Sequence, residues 1–218
     1  MFLKMNDNCK IPVVGLGTWK SEPGETTSQA VLDSLEAGYR HIDTARAYDN
    51  ETDVGRAVND SGLSRGELFI TTKLWNQHQG YEEAIEACEK SLNRLNCDYI
   101  DLYLIHWPLR EKRNHSWKAF IELRERGLCK SIGVSNFTIE HLAEIEAKFG
   151  ILPTVNQVEF HPYHYQKELL DYCNSKNIII EAYSPLVHAK RMDEPKLGAI
   201  SEELGKTPAQ ILIRWSIQ

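Results

Sequence analysis

The chain has 218 residues, 42% of them apolar, and a net charge of −6 with acidic and basic residues interspersed. That length supplies one good core and is short for a single large α/β domain, so one domain over residues 1–218 is expected. There is no Lys/Arg cluster to track phosphates, no apolar run of about 18 residues, and no signal-peptide core in MFLKMNDNCKIPV; the expectation is a cytoplasmic protein partnered by neither nucleic acid nor membrane.

The first predicted element is a hairpin in LKMNDNCKIPVVG, with Asp7-Asn8 at its turn, placed to plug one end of a larger fold. Seven strands follow, at 15–19 (GLGTW), 41–45 (HIDTA), 68–74 (LFITTKL), 99–106 (YIDLYLIH), 130–136 (KSIGVSN), 154–160 (TVNQVEF) and 178–185 (IIIEAYSP). Amphipathic helices are predicted between them, at 26–38, 52–62, 80–96, 116–127, 138–150 and 166–177, with a last one in PAQILIRWSIQ at 208–218. Thr138 precedes an acidic first turn, and Gly38, Gly127 and Gly150 stand where helices end. The segment HAKRMDEPKL (188–197) reads as a charged loop. Cys9, Cys88, Cys97, Cys129 and Cys173 form no CxxC pair, which points to free thiols rather than a disulfide framework or a zinc site.

Apolar strands alternating with helices imply a parallel sheet, either doubly wound or closed as a barrel. GLGTWKSEPGE lacks the third glycine of a dinucleotide-binding GxGxxG turn. The unusual polar residues instead fall at the C-terminal ends of successive strands: Asp43, Lys73, His106, Asn136, Glu159 and Ser184. An open sheet uses one switch point, whereas a (β/α)8 barrel gathers all its strand ends around one mouth, so a TIM-type barrel is the predicted fold.

Within HIDTARAYDNE (41–51), Asp43 lies between residues suited to a buried strand, and an unpaired carboxylate there costs several kcal/mol. Lys73, closing the next strand in TTKLW, is its expected partner. Tyr48, in the loop after Asp43, then lies near the ammonium, which is expected to lower its pKa and make it a proton donor. His106, in LIHWP, is placed to orient a substrate oxygen. A lone charged residue at a strand end is ordinarily solvated; four polar groups in register describe a site that protonates a carbonyl oxygen as hydride reaches its carbon.

In this order GLGTW, HIDTARAYDNE, TTKLW, DLYLIHWP, SIGVSNF, VNQVEFHPY, EAYSPL and GKTPAQILIRW resemble the aldo-keto reductase superfamily, most closely the prokaryotic branch that includes the diketogluconate reductases. The resemblance implies a catalytic tetrad of Asp43, Tyr48, Lys73 and His106, and an NADPH cofactor, with NADH as an alternative. It implies that Ser135, Asn136 and Gln157 hold the nicotinamide carboxamide, that Tyr183 stacks on the ring, that Thr18 and Asp43 also contact the cofactor, and that Ser184 and Leu186 begin a loop over the pyrophosphate. Trp19, Trp75 and Trp107, with His106, resemble the wall that receives a small-molecule carbonyl substrate.

Family members have eight barrel strands, and seven are found here. The expectation is a barrel incomplete at its C-terminal end, with the segment for the 2′-phosphate missing, weak preference between NADPH and NADH, and self-association through open edges. Two other readings are an inactive, reductase-like binding protein and a metal-dependent barrel hydrolase. The second draws on the HID at 41–43, His106, and the HPYH pair His161 and His164. No metal is expected, because a hydrolase has no use for Lys73 beside Asp43.

Overall fold

The computed structural model describes residues 1–218. Strands β1 (Phe2–Lys4) and β2 (Lys10–Pro12) pair antiparallel, with Asn8 at φ 73 in the turn between them. A second sheet holds seven strands in sequence order: β3 (Leu16–Gly17), β4 (His41–Asp43), β5 (Phe69–Leu74), β6 (Ile100–Ile105), β7 (Cys129–Ser135), β8 (Val155–Glu159) and β9 (Ile179–Tyr183). Every pair is parallel, each strand beside the next, which makes a nearly closed barrel of the (β/α)8 type with β3 and β9 at its edges.

Helices cover the outside: α1 (Glu25–Glu36), α2 (Glu51–Asp60), α3 (Glu82–Leu95), α4 (Arg113–Glu125), α5 (Ile139–Phe149), α6 (Lys167–Ser175), α7 (Pro195–Leu204) and α8 (Pro208–Ser216). Thr138 caps α5, its hydroxyl accepting from the His141 amide, and Gly38, Gly127 and Gly150 take the positive φ that stops a helix. The expected charged loop at 188–197 is a 3-10 turn (Val187–Ala189) that leads into α7. That helix escaped the sequence reading because its apolar positions are few and Gly198 interrupts them; Pro195 at its first turn supplies a start. No helix is long and apolar enough to cross a membrane. All five cysteines are free, with the Cys88 and Cys129 sulfurs 3.6 Å apart in the core.

Alternation along the strands sorts the side chains into two populations. Ile42, Ile70, Leu74, Ile132 and Val134 face outward into the main core beneath the helices. Phe69, Leu102, Leu104 and Val155 face the lumen and pack with Met5 and Ile11 of the hairpin. The hairpin therefore fills the lower lumen as a plug, anchored by Asn6 Nδ2 donating to the Pro153 carbonyl at 3.0 Å and by Ser131 Oγ donating to Asp7 Oδ2 at 2.6 Å. The plug closes that end of the lumen and leaves the end at the strand C-termini open.

One close helix approach depends on a missing side chain. A Cβ on Gly55 of α2 would lie 2.5 Å from the Leu95 carbonyl oxygen at the end of α3. Backbone cannot swing aside as a flexible side chain can, so Gly55→Ala is expected to cost about 1–3 kcal/mol despite alanine's better helix propensity. Urea denaturation checks this; an unchanged or raised midpoint contradicts the close-approach argument.

Candidate active site

Asp43, Lys73 and His106 stand at or just beyond the C-terminal ends of β4, β5 and β6, and the 3-10 turn Arg46–Tyr48 brings Tyr48 over them. Lys73 is fully buried, and its Nζ donates to Asp43 Oδ1 at 2.5 Å, to the Thr44 carbonyl at 2.9 Å and to the Tyr48 hydroxyl at 3.5 Å. Burial alone pulls Lys73 down, but the Asp43 charge and hydrogen bond outweigh it and hold the ammonium above its ordinary pKa. Asp43 is thus paired as its sequence position required, and the three groups form one chain from carboxylate to phenol.

The expected lowering of the Tyr48 pKa is not found. Burial raises it, Lys73 lowers it through both field and hydrogen bond, and Asp43 raises it again, leaving it above its ordinary value. The reason is desolvation: a phenolate at this depth loses more hydration than one already neutralised ammonium returns. Tyr48 is consequently a protonated phenol throughout the neutral range.

His106 packs edge-on against Tyr48, with ring centroids 5.8 Å apart, and against Trp75 at 5.2 Å. Burial first, and then the Lys73 charge, depress its pKa to about 3, so the imidazole is neutral; its Nδ1 is buried without a partner. Trp19 and Trp107 are exposed and Trp75 is half-buried, all on segments that follow the strand ends. The ring of His188 lies 5.5 Å from that of Trp19, so the loop after β9 meets the loop after β3.

Ser135, Asn136, Gln157 and Tyr183 form a second cluster. Ser135 Oγ donates to the Gln157 carbonyl at 2.8 Å, and Asn136 Nδ2 donates to the His106 carbonyl and to Ser135 Oγ, both at 3.0 Å. The Tyr183 hydroxyl donates to Asn136 Oδ1 at 3.0 Å, which fixes a half-buried ring at the mouth. Gln157 Nε2 donates to Asp43 Oδ2 at 2.8 Å, joining this cluster to the first. Ser184, at φ 51, and Leu186 lead the loop that carries His188, and Ser184 Oγ lies 3.4 Å from His188 Nε2. Thr18 is buried, its hydroxyl donating to the Asp43 carbonyl at 3.2 Å and to Asn50 Oδ1 at 3.3 Å.

Three important neighbours were missed in the sequence. Asn50 is fully buried and ties the loops together: its Nδ2 donates to the Thr18 carbonyl at 3.0 Å, while its Oδ1 accepts from Thr44 Oγ1 at 2.8 Å. Glu51, also buried, accepts from Thr72 Oγ1 at 2.6 Å and pairs with Arg94 Nε at 2.7 Å. Both lie within the DNE that ends the HIDTARAYDNE block, a polar run among polar neighbours in which nothing local marks these two side chains as buried. Glu181, in the middle of an apolar strand, is the third.

The histidines of the hydrolase reading do not converge. His161 Nε2 lies 3.2 Å from Glu159 Oε1, in a turn whose two histidine rings are 6.0 Å apart. The tight group of potential donors is His41, Asp43 and Glu181, within 4.8 Å of one another, and there Lys73 already holds Asp43.

The family model described as the Aldo/keto reductase family matches residues 13–218. An aldo-keto reductase of Mycolicibacterium smegmatis is 50% identical over 218 residues, covering 99% of this chain and 79% of the relative. A glyoxal reductase of Bacillus subtilis is 46% identical over 216 residues, covering 99% of this chain and 78% of its own length. Among solved structures, a Bombyx mori aldo-keto reductase in complex with NADP superposes with a TM-score of 0.92 at 36% identity, over 99% of this chain and 78% of that one.

Proposed function

The chain belongs to the aldo/keto reductase family, and on that premise we propose that it reduces aldehydes and ketones to alcohols with NADPH, Tyr48 being the proton donor. The observation that carries this reading is the placement of Lys73 Nζ between Asp43 Oδ1 at 2.5 Å and the Tyr48 hydroxyl at 3.5 Å. Reduced nicotinamide, when bound, supplies the hydride. The Tyr48 proton passes to the carbonyl oxygen as the hydride arrives, and Lys73 stabilises the phenolate left behind. Neutral His106 donates a hydrogen bond that orients the carbonyl. Its acidic shift keeps it from acting as a competing cation near Lys73.

The cofactor fits the second cluster chemically. Ser135, Asn136 and Gln157 offer amide and hydroxyl groups of both polarities at adjoining strand ends, and Tyr183 presents a ring held by Asn136. Thr18 contributes from the segment after β3, Asp43 from the end of β4, and Ser184 and Leu186 from the loop after β9. Arg191, an available cation for a 2′-phosphate, lies over the Tyr163 ring at 4.7 Å and faces Glu194 at 3.9 Å. Discrimination between NADPH and NADH is therefore expected to be weak.

The substrate class we infer is small aldehydes and dicarbonyls received by Trp19, Trp75 and Trp107, a reading supported by the glyoxal reductase relative. The test is NADPH oxidation, followed by absorbance, with glyoxal as the probe, preceded by titration with NADPH and NADH through tryptophan quenching. Saturable binding of both dinucleotides and glyoxal-dependent oxidation are expected. A folded protein that binds neither contradicts the proposal.

A further inference from the structure

Glu181 is the one charged residue of β9 and registers with Gln157 of β8. The residue is half-buried because β9 edges the sheet, but its carboxyl end reaches inside, where Oε2 has neither solvent nor a hydrogen-bond partner. Native structures leave few buried polar atoms in that condition, and each calls for a reason. Its carboxylate also lies within 4.8 Å of a carboxylate oxygen of Asp43 and a ring nitrogen of His41.

A count of donors shows why. Against the two carboxyls stands one ammonium, Lys73, and it is bonded to Asp43 and the Thr44 carbonyl. The side-chain amide of Gln157 likewise donates to Asp43 Oδ2. Asp43 therefore holds the only cation, and the Gln157 amide is shared between the two carboxyls. Two carboxylates and one cation at this spacing leave a surplus negative charge, so one carboxyl keeps its proton, and the group that the ammonium does not hold, with Oε2 unpartnered, is Glu181. The ionisable groups whose charges it meets are His41 and Asp43 from β4, Lys73 from β5 and Tyr48 from the turn above them.

We infer that Glu181 is a positioning residue, a lumen carboxylic acid that stays protonated while Asp43 pairs with Lys73 and so leaves the Lys73 charge directed at Tyr48. The inference rests on the reading of Tyr48 as proton donor. Burial, and then the Asp43 charge, raise the Glu181 pKa to about 8 against the opposing pulls of Lys73 and of a hydrogen bond from Gln157. Glu181 gains and loses no proton in the transfer itself; Tyr48 gives its proton to the carbonyl oxygen and recovers one from solvent. When Glu181 ionises, its added negative charge disfavours the Tyr48 phenolate, one of the effects that raise the phenol.

The experiment compares wild type with Glu181→Gln, which carries the uncharged state at every pH. A carboxyl raised in the folded state contributes stability that is present in full below its unfolded pKa and is lost as pH rises through the folded value. The window here runs from the ordinary carboxyl value of 4.5 to about 8. The melting temperature of Glu181→Gln relative to wild type should therefore climb by several degrees across that window and level off above it. His41 and His106, depressed to about 4 and about 3, titrate in both proteins and drop out of the difference.

In glyoxal reduction with NADPH, the alkaline fall in rate should move up by about half a pH unit or more in Glu181→Gln. A melting difference that stays flat with pH overturns the inference. So do superimposable rate profiles alongside a changing melting difference, since these mark Glu181 as structural only. Should the glutamine variant not fold, Glu181→Met, also uncharged, carries the same comparison. Turnover that survives Tyr48→Phe overturns the underlying reading instead, whatever Glu181→Gln does.

Discussion

Tyr48→Phe is expected to lower carbonyl reduction by roughly 10²–10⁴-fold, the range a positioned general acid contributes, while leaving dinucleotide binding nearly intact. The substitution removes one oxygen atom and keeps the ring that packs edge-on to His106 and lies 5.1 Å from Lys73 Nζ. Folding should be little affected, because the lost hydrogen bond, at 3.5 Å, is the longest of the three that Lys73 makes. Single-turnover measurement of NADPH oxidation with glyoxal separates the two steps. A rate within a few-fold of wild type would remove Tyr48 from the chemistry and leave no other hydroxyl in contact with Lys73. A variant that loses dinucleotide binding as well would show that the hydroxyl helps form the cofactor site.

Lys73→Met is expected to damage both activity and stability. Lys73 is fully buried and the Asp43 side chain is 14% exposed, so removing the ammonium leaves a carboxylate with Gln157 as its main donor. Breaking a buried pair from one side costs about 3–5 kcal/mol, because the remaining charge stays desolvated. Turnover should fall as far as in Tyr48→Phe, since the phenolate loses its counter-charge. Adding Asp43→Asn to Lys73→Met separates the two effects. The double variant should regain much of the stability in urea denaturation and none of the turnover. If it is no more stable than the single variant, the buried-pair account of Asp43 fails.

Much of the fold could be read from residues alone because its determinants are local. The alternation of apolar strands with amphipathic helices, the stop residues Gly38, Gly127 and Gly150, and the cap Thr138 all act within a few positions of themselves. Strand lengths were read less well: GLGTW contributes two paired residues rather than five, since β3 is an edge strand with a single neighbour. The start of α7 at Pro195 went unseen because that helix has few buried residues to set a pattern.

The site divides in the same way. Asp43, Lys73 and His106 were legible because each places a polar side chain at the end of an apolar strand, and a parallel barrel turns that position into a shared mouth. The pairing of Asp43 with Lys73 followed from charge alone. Three properties belonged to the tertiary structure. The sign of the Tyr48 shift depends on burial set by neighbouring loops, which a list of nearby charges does not contain. The clamp by Asn50 joins residues 32 positions apart. Glu181 acquires its proton only because the barrel brings β4, β5 and β9 around one lumen, where two carboxyls meet one ammonium. The sequence by itself determined which groups are present and which strand ends carry them; the enclosed, low-dielectric lumen decided which of them are charged.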